Sequence, residues 1–94
     1  MMTFEQAQQH VQYQRIPTAV LHGLYDYIER HQAPGHFLTA VLCHDLFEAA
    51  GRSDEGSWIA LRELVVFIYN EVRSDCHGSP AKVSAWLQNT VGSL

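Results

Sequence analysis

Residues 35–54 read GHFLTAVLCHDLFEAAGRSD. Whether this stretch is one helix decides how the rest of the chain is arranged. Its apolar residues recur at three- and four-residue spacing, which predicts a single helix over about 36–50 with Gly51 at its C-terminal end. On a helical wheel, Leu38, Val41, Leu42, Leu46 and Ala49 share one face. Asp45 then falls near the middle of that face, with Arg52 two turns beyond it. An ionised carboxylate buried without partners is very costly. The expectation is therefore that Asp45 points inward and is hydrogen-bonded, paired or opened to a cleft. In a structural role it accepts backbone N–H groups from the start of another helix, or pairs with Arg52 or Arg62. In a functional role it walls a binding pocket.

The totals bound what surrounds this helix. A chain of 94 residues has room for one domain and one core. Apolar residues make up 47% of it, too many for a disordered chain. The net charge is -4 with only 6 Lys and Arg, which argues against unspecific nucleic-acid binding, since that needs a basic face. No apolar run approaches the roughly 20 residues of a membrane span, and MMTFEQAQQH lacks the basic start and apolar segment of a signal peptide. A cytoplasmic setting is the expectation. Cys43 and Cys76 lack framework spacing and read as free thiols.

Helix punctuation is plentiful and strand signals are weak. Thr3 with Gln6 makes a capping-box pattern ahead of a first helix over about 3–14. Pro17 suits the first turn of a second, over about 17–32. Ser53 or Asp54 caps a fourth helix over about 55–72. Ser79 and Pro80 open a fifth, with Gly92 after its end. The second helix carries a stripe of Val20, Leu24, Tyr27, Ile28 and His31. The fourth carries Trp58, Leu61, Val65, Ile68, Tyr69 and Val72, and the fifth Val83, Trp86, Leu87 and Thr90. The first is poorer, and residues 1–15 are expected at the periphery or against a second copy. The fold class is all-α: one compact domain over residues 1–94, a bundle of four to five short helices.

Candidate binding residues follow from this phase. On the predicted fourth helix Phe67 points away from the stripe, among Glu63, Asn70 and Glu71, and an aromatic on a polar face is a candidate partner contact. A second set, Asp45, Arg52, His36, Tyr69 and Ser79, comprises polar or aromatic groups at the pocket side or near helix ends. The turn PGHF, residues 34–37, opens the third helix with a glycine beside His36, a place where backbone N–H groups face an anion.

Six histidines are many for this length, yet none falls in HExxH or a Cys/His zinc pattern. The stretch AVLCHDLFEAAG, residues 40–51, resembles the helix carrying the His-Asp dyad of HD-type phosphohydrolases, which are also all-helical. That resemblance implies His44 and Asp45 on a divalent metal, with His22 or His10 upstream and Asp75 downstream completing the set, and a metal-bound water attacking a phosphoester. No other nucleophile or phosphate-binding motif is present. The favoured expectation is a non-enzymatic protein with no catalytic residue, resident metal or cofactor.

The run from Pro34 to Trp86 resembles a group of short proteins encoded by bacteriophages and prophages. Their pattern is a proline-glycine turn leading into GFL-AVL-NDL, an R-A-D step, a long apolar helix ending in YN, and a GS cap before a helix with tryptophan. The counterparts are Pro34, Gly35, Phe37, Leu38 and AVLCHDL, then Arg52-Ser53-Asp54, Tyr69-Asn70, Gly78-Ser79 and Trp86. His36 replaces a glycine, His44 an asparagine and Ser53 an alanine. The resemblance implies a phage setting in a bacterial host. The expected function is inhibition or modulation of a host protein complex, a nucleic-acid-handling or defence (anti-CRISPR-like) assembly, through a protein-binding surface with Phe67 at its centre and acidic charge facing a basic groove. An alternative is a sponge for a small anionic nucleotide signal, held by the start of the third helix, Arg52, Asn70 and Ser79 with Tyr69 stacking on the base. Self-association is a further expectation.

Overall fold

The computed structural model describes residues 1–88. These residues form an all-α domain of seven α-helices and two 3-10 turns, with no strand among them. Helix α1 is Phe4–Gln9, followed by a 3-10 turn at Val11–Tyr13; α2 is Thr18–Arg30, α3 His36–Leu42, α4 Leu46–Arg52, α5 Glu55–Ile59 and α6 Leu61–Glu71. A second 3-10 turn, Ser74–Cys76, precedes α7 at Pro80–Gln88. Several predicted helices are thus each two shorter pieces, which is why there are more helices than the sequence indicated. The expected Thr90 and Gly92 of the last helix lie outside the described residues.

The predicted capping box is present. The Thr3 hydroxyl accepts the Gln6 N–H at 3.1 Å, and the Gln6 side chain accepts the Thr3 N–H at 2.9 Å. The N-terminal segment is not peripheral, however. Ala7, Tyr13 and Ile16 belong to the core, Tyr25 donates its hydroxyl to the Met2 carbonyl at 2.6 Å, and Phe4 packs edge-on against Tyr25. The glutamines mask this because they occupy the outward face, while three widely spaced apolar residues supply the inward one.

Helix α2 ends at His31, whose φ of 55° closes the last turn in the left-handed conformation. The His31 ring stacks on Trp86 at 4.3 Å and contacts the Trp86 carbonyl through Nδ1 at 2.7 Å, while the Trp86 indole N–H donates to the Tyr27 carbonyl at 2.9 Å. These contacts fasten α7 to the end of α2. Ser79 caps α7 by accepting the Lys82 N–H at 3.2 Å, and Pro80 takes the first helical position, as the sequence indicated. The radius of gyration, 12.6 Å, is that of one compact domain of this length.

The predicted third helix breaks at Cys43-His44-Asp45. His44 adopts φ 61°, its N–H donates to Val41 O at 3.0 Å and the Asp45 N–H donates to Ala40 O at 2.9 Å. This pair of bonds is a Schellman stop for α3. Asp45 then starts α4, its carboxylate accepting the Glu48 N–H at 3.1 Å. The expectation that Asp45 points into the core is therefore wrong: its side chain is exposed. A buried carboxylate would need partners that a mid-helix position cannot supply, whereas at a helix start a backbone donor is waiting. Among the described residues no buried side-chain N or O lacks a hydrogen-bond partner.

Candidate functional site: an exposed apolar cleft beside α6

Residues 57–69 read SWIALRELVVFIY, so α5 and α6 are apolar on more than one face. The sequence allows two stripes. The predicted one includes Trp58, Leu61, Val65, Ile68 and Tyr69. The buried one is Ala60, Leu64, Phe67 and Ile68, offset from it by about one residue, or 100° of helix. Phe67 is 0% exposed, with its ring edge-on to Tyr13 at 4.9 Å and near Tyr25 at 6.2 Å. The expectation that Phe67 contacts a partner is therefore corrected: it is a core residue. Glu63 is also occupied within the fold, accepting the Arg15 backbone N–H at 2.9 Å and approaching its guanidinium at 3.5 Å. Glu71 is half-buried and Asn70 exposed.

The rotation that buries Phe67 keeps Ile68 and Val72 of the predicted stripe inside but leaves Trp58, Val65 and Tyr69 in water. Tyr69 is 84% exposed, Trp58 54% and Val65 48%. On α4, Leu46 is 62% exposed and Phe47 88%. Leu46 faces Val65 and Tyr69 across an open cleft of about 270 Å³, with Leu61 and Ile68 also on the α6 side and Val41 and Ala49 on the other. Scattered apolar residues are normal on a surface, whereas a cleft walled by several of them on two helices is a candidate contact site. Leu46 and Val65 were expected in the inward stripes of their helices, an expectation the structure corrects, and Phe47 was not named from the sequence. The available signal was the alternative stripe itself, together with Asp45-x-x-Glu48, a helix-start pattern that would have broken the third helix and turned Leu46-Phe47 outward.

His44 and His77 stand at the rim of this cleft. His44 Nε2 and His77 Nδ1 are 2.9 Å apart, so one nitrogen donates and the other accepts. Nearby, the Gly78 N–H donates to Leu42 O at 2.8 Å, and Gly78 itself takes φ 128°, a conformation open to glycine. The α3–α4 turn is thereby joined to the loop before α7. The His77 imidazole is held below its ordinary pKa, first by burial and then by the neighbouring His44.

Three of the predicted pocket residues do meet, though elsewhere. His36, Asp45 and Arg52 line a shallow polar cleft of about 310 Å³ together with Cys43 and Glu48. Arg52 is paired there with Glu48 at 3.0 Å. Tyr69 belongs to the apolar cleft instead, and Ser79 is engaged as a cap. The residues expected to hold a nucleotide are thus divided between sites. Helix α3, His36–Leu42, begins at Gly35 with no side-chain cap.

The set implied by the phosphohydrolase resemblance is likewise dispersed. His44 meets His77, His22 meets Asp26 at 3.2 Å, His10 caps the Val11 turn, and Asp75 forms a fork with Arg73 at 2.7 Å. Among the described residues no three His, Cys, Asp or Glu side chains converge on a metal position. Cys43 and Cys76 are free thiols; Cys76 is buried and its pKa is pushed up to about 12, chiefly by burial, which makes it unreactive. Among the described residues no helix is long and apolar enough to cross a membrane. The chain matches no protein-family model, no curated protein and no solved structure.

Proposed function

We propose that this chain is a small non-enzymatic binding protein that docks on a protein partner through the apolar cleft between α4 and α6. The observation that carries this reading is the set of exposed large apolar side chains Leu46, Val65 and Tyr69 lining that cleft, with Phe47 exposed next to Leu46 on α4. An open cleft of about 270 Å³ takes one or two large apolar side chains of a partner. The chain carries a net charge of -4, so the partner segment that fits is apolar at its centre and basic around it. Occupying such a segment blocks whatever it ordinarily binds. That is the action expected of a phage inhibitor of a host nucleic-acid-handling or defence complex, the setting its resemblance to phage proteins implies.

The test is binding by the wild-type chain against the double variant Phe47→Ser/Tyr69→Ala. Both side chains are over 80% exposed, so the variant keeps the fold, which circular dichroism verifies. A partner captured from host lysate by the wild type and lost by the variant is the expected result, with association slowing as salt rises. Capture of the same partner, equally tightly, by both chains overturns the reading.

A further inference from the structure

We propose that His44 and His77 form a two-imidazole binding site for a divalent transition-metal ion of the zinc and copper class. They are the only two histidines among the described residues whose ring nitrogens face each other within hydrogen-bond distance, and 33 residues separate them in the chain. Nitrogens bound to one ion at about 2.0–2.1 Å lie about 2.9 Å apart at a right angle and about 3.3 Å apart at the tetrahedral angle. The observed 2.9 Å therefore falls at the separation of adjacent ligands. The ring centroids are 5.1 Å apart with planes tilted by 36°. An ion held by both nitrogens sits off the line joining them, so each ring turns by about 35–45° and the donor ring carries its proton on its other nitrogen instead.

The surroundings favour this exchange. Each residue is held by its backbone rather than by a floppy side chain alone. His44 sits in the left-handed conformation at φ 61°, fixed there by the Schellman stop that ends α3. His77 precedes Gly78, whose N–H donates to Leu42 O at 2.8 Å and ties this loop to the end of α3. Both imidazoles border the open cleft, so the remaining coordination positions are left to water or to a donor from a docked partner. The protein supplies two ligands; among the described residues no third His, Cys, Asp or Glu joins them.

The site stands whether or not the cleft docks a partner, and it is tested on the free chain, purified without a polyhistidine tag and stripped of metal. Zinc and copper ions are titrated separately by calorimetry into the wild type, His44→Asn, His77→Gln and His22→Gln. Asparagine tolerates the left-handed backbone, so His44→Asn removes the imidazole while keeping the turn. The expected result is uptake of one equivalent, weakened by more than about tenfold in His44→Asn and in His77→Gln and unchanged in His22→Gln. Should a variant fail to fold, substoichiometric copper added to the wild type reads the same site, because the ring protons of His44 and His77 broaden before those of the other histidines. No uptake by the wild type overturns the proposal. So does uptake insensitive to both substitutions, or broadening that begins at another histidine.

Discussion

Asp45 caps α4 because the chain reverses immediately before it. With His44 in the left-handed conformation the Asp45 backbone is no longer helical, and its carboxylate reaches the Glu48 N–H. A cap of this kind contributes about 1 kcal/mol, whereas removing one partner from a buried ionic network costs about 3–5 kcal/mol. Asp45→Ala is therefore expected to lower stability by about 1 kcal/mol, and Asp45→Ser to restore most of it, as read by urea unfolding. A loss several times larger would return the carboxylate to the core. His77 gives a pH dependence of definite sign. Its ordinary pKa is 6.5, and in the fold it is lowered by burial and by His44. Between the lowered value and 6.5 the unfolded chain binds more protons than the folded one, so stability rises with pH through that window. The contribution is fully present above 6.5 and is lost as pH falls through the folded value. The urea midpoint of the wild type should fall on acidification below 6.5 by more than that of His77→Gln.

At the level of elements, α6 is the informative case. Both of its apolar stripes satisfy helical spacing, and each is a sound interior face taken alone. Tyr13 and Tyr25 present aromatic edges and faces that Phe67 fills, and this contact selects the stripe containing Leu64 and Phe67. The consequence is a reversed ranking of two aromatic residues. Phe67→Ala should cost about 3–5 kcal/mol, because it opens a cavity in the core. Tyr69→Ala should change stability by less than about 0.5 kcal/mol, since its side chain lies in water. Chemical denaturation of both variants decides this, and equal effects would contradict the phase of α6.

For the whole molecule, Tyr27 holds distant parts of the chain together. Its hydroxyl donates to the Cys76 carbonyl at 2.6 Å, and its own carbonyl accepts the Trp86 indole N–H at 2.9 Å. Its side chain is fully buried, and burial pushes the phenol pKa well above its ordinary value. Tyr27→Phe leaves the Cys76 carbonyl without its partner, at an expected cost of about 1–3 kcal/mol. Thermal unfolding measures it, and a neutral substitution would show that water takes the hydroxyl's place. The same bond positions the 3-10 turn beside His77, so Tyr27 also supports one side of the cleft rim.

Local signals in the sequence determined the helix starts at Thr3 and Ser79, the all-α class, and Leu24 and Tyr27 of the interior face of α2, though not its Leu21 and Tyr25. Each depends on residues within about one turn of one another, where backbone donors and nearby side chains settle the outcome. The break before Asp45 was also legible, in Asp45-x-x-Glu48, but the apolar periodicity running across it outweighed that pattern. What only the tertiary structure decided was which stripe of α6 turns inward, and hence that Phe67 is core while Val65 and Tyr69 face solvent. Nor did the sequence show that His44 meets His77. Both outcomes depend on side chains brought together across tens of residues, by packing that favours one of two locally equivalent arrangements.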